Sequence, residues 1–287
     1  MAVHVVIMAG GVGSRLYPLS TPQHPKQFLD LLSCGKTLIQ LTYERFLEVD
    51  PDAQFWVVTS SDYVKFIKEQ LPDIPDDHIL AEPVARNTAP CIAYACWKIR
   101  ERHADANIVV TPSDAYVPDC RAFAATVRAA LDFTESGMGI VCIGIKPTSP
   151  HTGYGYIHVS EPEGVIRHVE SFKEKPDEDT ARRYLADGGY YWNAGIFVWN
   201  AGTIEKELRA HAPQIAGVMD RLSPSFYTEG EGEALATLFP TCEKISIDYA
   251  VMEKSSDVYM AEADWAWSDL GSFEAIEAVL GHKIKLK

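Results

Sequence analysis

Short apolar runs alternate with longer amphipathic segments over the first half of the chain. The runs Val3 to Met8 and Phe55 to Thr59 have the length of buried strands. The segments Leu38 to Val49 and Asp62 to Leu71 have helical spacing instead. Alternation of this kind predicts an α/β fold in which a mostly parallel sheet is covered by helices.

The next strands end in residues that carry chemistry. Ile79 to Glu82 is a short predicted strand, and Ile108 to Thr111 is a buried one that leads into Asp114. Open parallel sheets bind ligands beyond the carboxyl ends of their strands. We therefore expect the loop at Gly10, the pair Glu82 and Pro83, and Asp114 to meet in one crevice.

The pattern changes after residue 150. Tyr154 to Val159 and Val165 to Phe172 predict an antiparallel pair, with residues 161–164 as the turn between them. The apolar run Trp192 to Trp199 predicts a return to a buried strand, and Trp265 to Trp267 predicts a late short strand. This part of the chain should form a second lobe or an inserted region.

A glycine cluster follows the first predicted strand. Gly10, Gly11 and Gly13 leave backbone N–H groups accessible, without Cβ atoms that would block an approaching anion. Arg15 adds a planar donor fork and Lys26 adds a point charge. The stretch predicts a cradle for nucleotide phosphates.

Two better-known phosphate loops are excluded. The dinucleotide fingerprint requires a third glycine where this chain has Leu16, and Arg15 would intrude on the pyrophosphate. The run of residues 35–37 imitates the end of a Walker A loop, but Asp30 stands where its first glycine belongs. We predict a turn and a helix cap there.

Composition narrows the class of protein. The 287 residues, 47% of them hydrophobic, suffice for one large α/β domain or two small ones. A formal charge of −14 argues against nucleic acid as a partner, so anionic substrates must meet a few placed cations and a metal ion. The six cysteines lack a C-x-x-C pair, and no apolar run is long enough for a membrane span. We expect a cytoplasmic protein with reduced thiols and no membrane partner.

Two aspartates are candidates for metal binding. Asp114 ends a central strand, and Asp269 lies in a late Trp-Ser-Asp-Leu-Gly run. Triphosphate chemistry requires a hard divalent cation, and Mg²⁺ takes one or two protein carboxylates together with phosphate oxygens. An isolated aspartate at a strand end is otherwise a turn or cap residue.

Several motifs, in their order along the chain, resemble those of the sugar-phosphate nucleotidyltransferases. The segment Glu82 to Pro90 is similar to that of the bacterial mannose-1-phosphate guanylyltransferases, or GDP-mannose pyrophosphorylases. The other matching stretches are Ala9 to Ser20, Pro25 to Phe28, Phe172 to Pro176, Trp192 to Phe197 and Ser246 to Lys254. The resemblance implies a Rossmann-like three-layer αβα nucleotidyltransferase fold with an inserted antiparallel sugar-binding region. Residues 1–150 would mainly bind the nucleotide and residues 151–287 mainly the sugar phosphate.

The resemblance implies that mannose 1-phosphate attacks the α-phosphorus of GTP, giving GDP-mannose and pyrophosphate. It implies Mg²⁺, with Mn²⁺ as a substitute, on Asp114 and Asp269. The implied catalytic residues are Arg15, Lys26 and Lys175. The implied nucleotide-binding residues are Ala9, Gly10, Gly11, Gly13, Pro83, Asn87 and Thr88, with Arg86 either joining them or clamping the loop. The implied sugar-binding residues are Gly153, Glu174 and Asn193.

Some alternatives stay open at this point. Lys175 also fits a solvated surface charge, and Asn193 also fits the core of its strand. Ala115 stands where the family usually has a histidine after the strand-end aspartate, so any role of that imidazole is missing. The family's C-terminal β-helix tail is expected to be absent, and that leaves the homodimer in doubt. The competing functions are transfer of a guanylyl or thymidylyl group to another hexose 1-phosphate, and a non-catalytic subunit that senses nucleotide sugars.

Overall fold

A ten-stranded sheet runs through the described part of the chain, residues 2–160 and 164–284 of a computed structural model. Nine α-helices of these residues pack on it. The strands are β1 (Val3–Met8), β2 (Gln54–Ser60), β3 (Ile79–Glu82), β4 (Asn107–Pro112), β5 (Ile140–Ile145), β6 (Tyr156–His158), β7 (Ile166–His168), β8 (Ser171–Lys173), β9 (Tyr190–Asn200) and β10 (Val258–Ala263). The helices are α1 (Leu38–Val49), α2 (Val64–Gln70), α3 (Thr88–Arg102), α4 (Cys120–Thr134), α5 (Glu178–Asp187), α6 (Ala201–His211), α7 (Pro213–Leu222), α8 (Glu231–Leu238) and α9 (Phe273–Leu280).

The sheet is mostly parallel, as the alternating pattern predicts. Its main path has the order β3-β2-β1-β4-β9-β5-β10-β7. The strands β1 to β5 and β10 run in one direction, whereas β9 and β7 run against it. The strands β6 and β8 extend the sheet from β9 as an antiparallel pair. This pair is the inserted antiparallel region.

Each face of the sheet is covered by its own set of helices. Along β1, Val6 belongs to the apolar cluster under α3, α6, α7 and α8. Its neighbours Val5 and Ile7 belong to the cluster under α1, α2, α4 and α5. Because side chains alternate along a strand, a continuous apolar run is buried on both faces. The result is the expected three-layer αβα architecture.

Two local predictions are wrong in the second half of the chain. The predicted strand Val165 to Phe172 is two strands, and its parts pair differently: β7 with β10, and β8 with β6. Trp265 to Trp267 forms no strand, because only the adjacent Ser268 pairs, in a single bridge with Tyr116. Part of the predicted turn, residues 161–163, lies outside the described residues.

The prediction of a turn and cap before α1 is confirmed. Thr37 and Gln40 form a capping box, in which the Thr37 N–H donates to Gln40 Oε1 at 2.9 Å. The helix α5, which the sequence pattern did not reveal, is capped by Asp177 at its N-terminus and by Gly188 at its C-terminus. Within the ranges above, no helix combines the length and apolar character needed to cross a bilayer.

The final helix closes the fold against the glycine loop. Ile276 of α9 is buried in one cluster with Leu16, Leu38 and Leu270. Leu16 belongs to the short 3-10 turn that follows the glycines. The late segment of the chain therefore packs directly on the loop near its start.

A buried histidine lies at the opposite end of β1. His4 is fully buried, and its Nδ1 accepts a hydrogen bond from Trp56 Nε1 at 3.1 Å. Burial is the main reason why the pKa of His4 is lowered to about 3, with further repulsion from His103 and His78. The folded protein thus keeps His4 neutral at pH values where the unfolded chain protonates it.

This difference predicts acid lability. Stability from His4 is complete above its unfolded pKa of about 6.5 and is lost as the pH falls toward 3. Between pH 7 and pH 5 we expect His4 to lower the free energy of unfolding by about 2 kcal/mol. Urea unfolding at both pH values measures this. His4→Gln, which keeps an acceptor for Trp56, should reduce the pH-dependent loss by that amount, and an unchanged loss would contradict the prediction.

Candidate active site

Two adjoining cavities open at the carboxyl ends of the parallel strands. The central cavity has a volume of about 450 Å³ and the glycine-loop cavity one of about 360 Å³. Both are lined by Met8, Thr88, Pro112 and Asp114, so they form one continuous cleft. The glycine-loop cavity also contains Gly10, Gly11 and Glu82. The predicted convergence of the strand ends is therefore confirmed.

Buried side chains hold the glycine loop in place. Gln27 Nε2 donates to the carbonyl oxygens of Ala9 and Gly11, at 3.0 and 2.9 Å. Ser20 Oγ donates to the carbonyl of Val12 at 2.7 Å. Gly13 has a φ of +67°, and a Cβ there would lie 2.7 Å from Lys26 Cβ. The position requires glycine for both its backbone conformation and its packing.

Lys26 joins the two candidate metal ligands. Its side chain is 6% exposed, and Nζ lies 2.9 Å from Asp114 Oδ2. The same ammonium donates to the carbonyl oxygen of Asp269. Arg15 Nη2 lies 3.6 Å from Asp269 Oδ2, with most of its own side chain exposed to the cleft. Four predicted residues from distant parts of the sequence therefore meet at one point.

The Asp114 loop is fixed from behind by α1. Thr42 Oγ1 donates to the carbonyl of Ser113 at 3.1 Å, and Arg45 Nη2 donates to the carbonyl of Ala115 at 2.9 Å. Burial lowers the pKa of Arg45 to about 10, yet its guanidinium remains charged near neutral pH. Sequence reasoning missed both α1 residues, because no local motif marks them.

Asp269 is fixed by two donors on one oxygen. Its Oδ1 accepts hydrogen bonds from Tyr154 Oη at 2.8 Å and from the Gly271 N–H at 2.9 Å. The intervening Leu270 has a φ of +46°, an uncommon conformation for a branched residue. The bridge between Ser268 and Tyr116 holds this segment beside the Asp114 loop.

A second carboxylate pair lies at the other side of the central cavity. Lys175 Nζ lies 2.6 Å from Glu174 Oε1, and Asn193 Nδ2 donates to Asp248 Oδ1 at 3.1 Å. Burial and the nearby Glu174 raise the pKa of Asp248 to about 6. Asp248 begins a π-helical turn, Asp248–Met252, a feature that is frequent at functional sites. The residue lies in a family-like motif but was not singled out from the sequence.

The glycine-loop cavity contains a carboxyl group without a hydrogen-bond partner. Glu82 is 8% exposed, and its Oε1 is a buried atom that no described residue contacts by a hydrogen bond. Burial raises the pKa of Glu82 to about 8. A buried polar group in this state is costly, so a ligand with hydrogen-bond donors fits the cavity.

The loop after Glu82 borders the same cavity. Asn87 has a φ of +69°, and its Oδ1 accepts from the Thr88 N–H at 2.8 Å, which caps α3. Thr88 Oγ1 accepts from the Ile247 N–H at 2.9 Å and so joins this loop to the Asp248 turn. Arg86 donates to the carbonyl of Pro240, which favours the expectation that it clamps the loop.

Most of the predicted site residues line the cleft. Those in the central cavity are Arg15, Lys26, Thr88, Asp114, Gly153, Glu174, Lys175, Asn193 and Asp269. Those in the glycine-loop cavity are Gly10, Gly11, Asn87, Thr88 and Asp114. Ala9, Gly13 and Pro83 are not among the described residues that line either cavity. Ala9 is buried with its N–H bonded to Val58, Gly13 packs on Lys26, and Pro83 is exposed.

Asp114 and Asp269 are the two predicted metal ligands, and they are the carboxylates available at this point of the cavity to a hard divalent cation whose other ligands come from substrate phosphates and water. Asp114 and Asp269 face the same cavity and both contact Lys26. No group of three or more His, Cys, Asp or Glu side chains within residues 2–160 and 164–284 is arranged to hold a metal ion. Mg²⁺ needs only one or two protein carboxylates when phosphates and water complete its shell.

Comparison with known proteins defines the class. The model of the nucleotidyl transferase family matches residues 4–283. This chain therefore belongs to the nucleotidyl transferase family.

Within that family, the relatives that resemble this chain carry more specific names. It is 37% identical to the mannose-1-phosphate guanylyltransferase of Escherichia coli, over 98% of this chain and 60% of that protein. It is 40% identical to the alginate biosynthesis protein AlgA of Pseudomonas aeruginosa, over 94% of this chain and 57% of that protein. The chain thus spans about three fifths of the length of these relatives.

A solved structure shows the same architecture. The crystal structure described as a mannose-1-phosphate geranyltransferase from Thermus thermophilus superposes with a TM-score of 0.88. The two sequences are 32% identical, and the match covers 99% of this chain and 80% of that one. The Rossmann-like nucleotidyltransferase fold expected from the sequence is confirmed.

The central cavity predicts a difference between two glycines. A Cβ on Gly155 would lie 2.6 Å from the buried Glu174 Oε2 and 3.3 Å from Phe172, whereas one on Gly153 would meet the exposed ring of His151. Gly155→Ala should lower the free energy of unfolding by about 1–3 kcal/mol, since the packed neighbours must shift. Gly153→Ala is the matched control, with a smaller loss. Equal stabilities of the two variants in urea unfolding would refute this reading of the cavity.

Proposed function

We propose that this chain transfers the guanylyl group of GTP to mannose 1-phosphate, giving GDP-mannose and pyrophosphate. The observation that carries the proposal is the continuous cleft, in which Lys26, Arg15, Asp114 and Asp269 line the central cavity and Asp114, paired with Lys26, also borders the glycine-loop cavity. A nucleotide and a sugar phosphate need such a pair of compartments with cations at their junction. The names of the guanylyltransferase relatives support these two substrates.

The triphosphate would lie along the glycine loop. Backbone N–H groups at Gly10 and Gly11 are the donors proposed for its oxygens. Lys26 and Arg15 would stabilise the negative charge that develops on the departing pyrophosphate. Lys26 is rigidly placed, whereas Arg15 is exposed and can follow the leaving group.

We propose that Asp114 and Asp269 hold Mg²⁺, or Mn²⁺ in its place. When bound, the ion would neutralise phosphate charge and orient the reacting groups. Lys26 already shows that this point of the cleft accommodates a positive charge between the two segments. The chain's own contribution is to aim the two carboxylates. Arg45 and Thr42 hold the loop of Asp114, and Tyr154 and the Gly271 N–H hold the carboxylate of Asp269.

Mannose 1-phosphate would occupy the other end of the central cavity. Lys175 would bind its phosphate, which is already a nucleophile near neutral pH. Glu174, Asn193 and Asp248 provide hydrogen-bonding groups for sugar hydroxyls, and Gly153 and Gly155 allow close approach of the backbone. The protein then has to align the two phosphates and keep water from attacking in place of the sugar phosphate. It does not have to form a covalent bond itself.

The guanine base would occupy the glycine-loop cavity. Guanine presents the N1–H and the 2-amino group as adjacent donors, and the Glu82 carboxylate is the buried acceptor that faces them. Adenine presents an acceptor at N1 instead. Glu82 is therefore the proposed selector for GTP over ATP.

The cellular location of the protein is also a proposal. All six cysteines are free, which supports a reducing cytoplasmic location. The homodimer stays a prediction. Neither affects the assignment of the cleft.

The test is a pyrophosphate-release assay with mannose 1-phosphate and each of GTP, ATP, UTP and dTTP. We expect GTP to be preferred by at least about 100-fold, because a mismatch strands buried polar groups. Activity should disappear with a chelator and in Asp114→Ala, while the circular dichroism spectrum of that variant stays unchanged. Preference for another nucleotide or sugar phosphate would reassign the substrate, and no turnover with any pair would reject catalysis.

Glu82 generates a pH-dependent prediction. Its raised pKa means that the empty site is mostly protonated at pH 7, and guanine donors require the carboxylate. Affinity for guanosine should therefore rise between pH 6 and pH 8, roughly 50-fold if only the carboxylate binds. Guanosine lacks phosphates that titrate in this range, and calorimetry measures its affinity directly.

Glu82→Gln provides the matched control. The amide is almost the same size but offers one acceptor and does not titrate. We expect weaker guanosine binding that no longer depends on pH. A pH-independent affinity in the unmodified protein would show that Glu82 does not bind the base.

A further inference from the structure

Tyr154 connects the two ends of the central cavity. It lies between Gly153 and Gly155, which both border the cavity, and Gly155 packs beside Glu174. Its hydroxyl donates to Asp269 Oδ1 at 2.8 Å, on the opposite side. No sequence motif assigned it a role.

The ring of Tyr154 is fixed by aromatic neighbours. His151 stacks on it with a centroid distance of 3.8 Å and an interplanar angle of 14°. Trp192 and Trp267 pack edge-on, each at 5.2 Å. A ring held on three sides places its hydroxyl in one position.

We propose that Tyr154 is a positioning residue that fixes the rotamer of Asp269 as a metal ligand and ties it to the loop beside the sugar phosphate. The inference rests on the proposed function. Tyr154 and Gly271 both donate to Oδ1, while Oδ2 lies on the side of Arg15. With Oδ1 fixed in this way, the direction of Oδ2, the oxygen that would bind the metal ion, is set before substrate binds.

The hydroxyl and the ring have separable tasks. Loss of the hydroxyl leaves Asp269 Oδ1 with the Gly271 N–H donor and so loosens the carboxylate, but the aromatic packing still holds the loop of Gly153 and Gly155. Loss of the ring releases the loop as well. The two losses therefore predict different kinetic defects, one in metal binding alone and one in both metal binding and the use of mannose 1-phosphate.

The experiment measures metal binding directly. Mn²⁺ is titrated into the protein by electron paramagnetic resonance, alone and with α,β-methylene GTP, which cannot release pyrophosphate. Tyr154→Phe should bind Mn²⁺ about tenfold more weakly, the effect of removing a hydrogen bond to a charged acceptor. Its kcat should fall by a similar factor, while the KM for mannose 1-phosphate stays unchanged.

The matched control is Tyr191→Phe. Tyr191 also donates its hydroxyl to a carboxylate, Glu262 Oε2 at 3.1 Å, but neither residue lines the cleft. This variant should bind Mn²⁺ like the unmodified protein. Tyr154→Leu, which removes ring and hydroxyl, should raise the KM for mannose 1-phosphate in addition to weakening Mn²⁺ binding.

The outcomes separate the two proposals. If a folded Tyr154→Phe protein binds Mn²⁺ as tightly as the unmodified protein does, the inference is overturned, whatever the turnover of the variant. An unmodified protein that makes no GDP-mannose rejects the proposed function, yet a Mn²⁺ defect confined to the Tyr154 variants would still support the positioning role. Equal defects in the Tyr154→Phe and Tyr191→Phe proteins would reduce Tyr154 to a general contributor to stability.

Discussion

The buried ammonium of Lys26 is the contact on which the cleft depends. Removing a charge from water is costly unless partners surround it, and here they come from distant segments, through the Asp114 carboxylate and the Asp269 carbonyl. Lys26 also packs under Gly13, so the same side chain sets the path of the glycine loop. An acidic chain with a net charge of −14 thereby concentrates positive charge where polyanions would bind.

Backbone strain is found beside these contacts. Of the five non-glycine residues with positive φ in the described part of the chain, three border or adjoin the cleft: Asn87, Lys175 and Leu270. Such conformations cost of order 1–3 kcal/mol each and persist only where the surroundings enforce them. The Asn87 cap on α3, the Lys175 ion pair and the Ser268 bridge near Leu270 are those surroundings. The strain therefore indicates that the fold holds these segments in orientations set by the site.

The sequence predicts local structure better than it predicts which strands and side chains come into contact. The strand β1 and helix α1 follow from periodicity and capping, which are properties of a few neighbouring residues. The pairing of β7 with β10 depends on a strand 90 residues away, so an apolar run such as Val165 to Phe172 does not reveal that it divides. The same holds for the site, whose loop residues in recognisable motifs were predicted from the sequence. Arg45 was not predicted, because it acts through a contact with Ala115 that only the fold creates, and the same is true of Tyr154 and its contact with Asp269.

The two cavities handle their buried carboxyl groups differently, and this bears on selectivity. Glu82 has a pKa raised by burial alone, so the empty glycine-loop cavity avoids a naked charge by holding a proton. Asp248 has Lys175 nearby and a pKa of only about 6, so the central cavity can keep its carboxylate ionised at pH 7. A base that binds here must form enough hydrogen bonds to the carboxylate to make up for the loss of the Glu82 proton. A base with two adjacent donors can do this, whereas a base with an acceptor at that edge cannot. A sugar would need no such exchange at Asp248, because its hydroxyls can donate to a carboxylate that is already charged at pH 7. Under the proposed function, the stricter discrimination would therefore belong to the nucleotide, and the choice of sugar would depend more on the shape set by Gly153, Gly155 and Asn193.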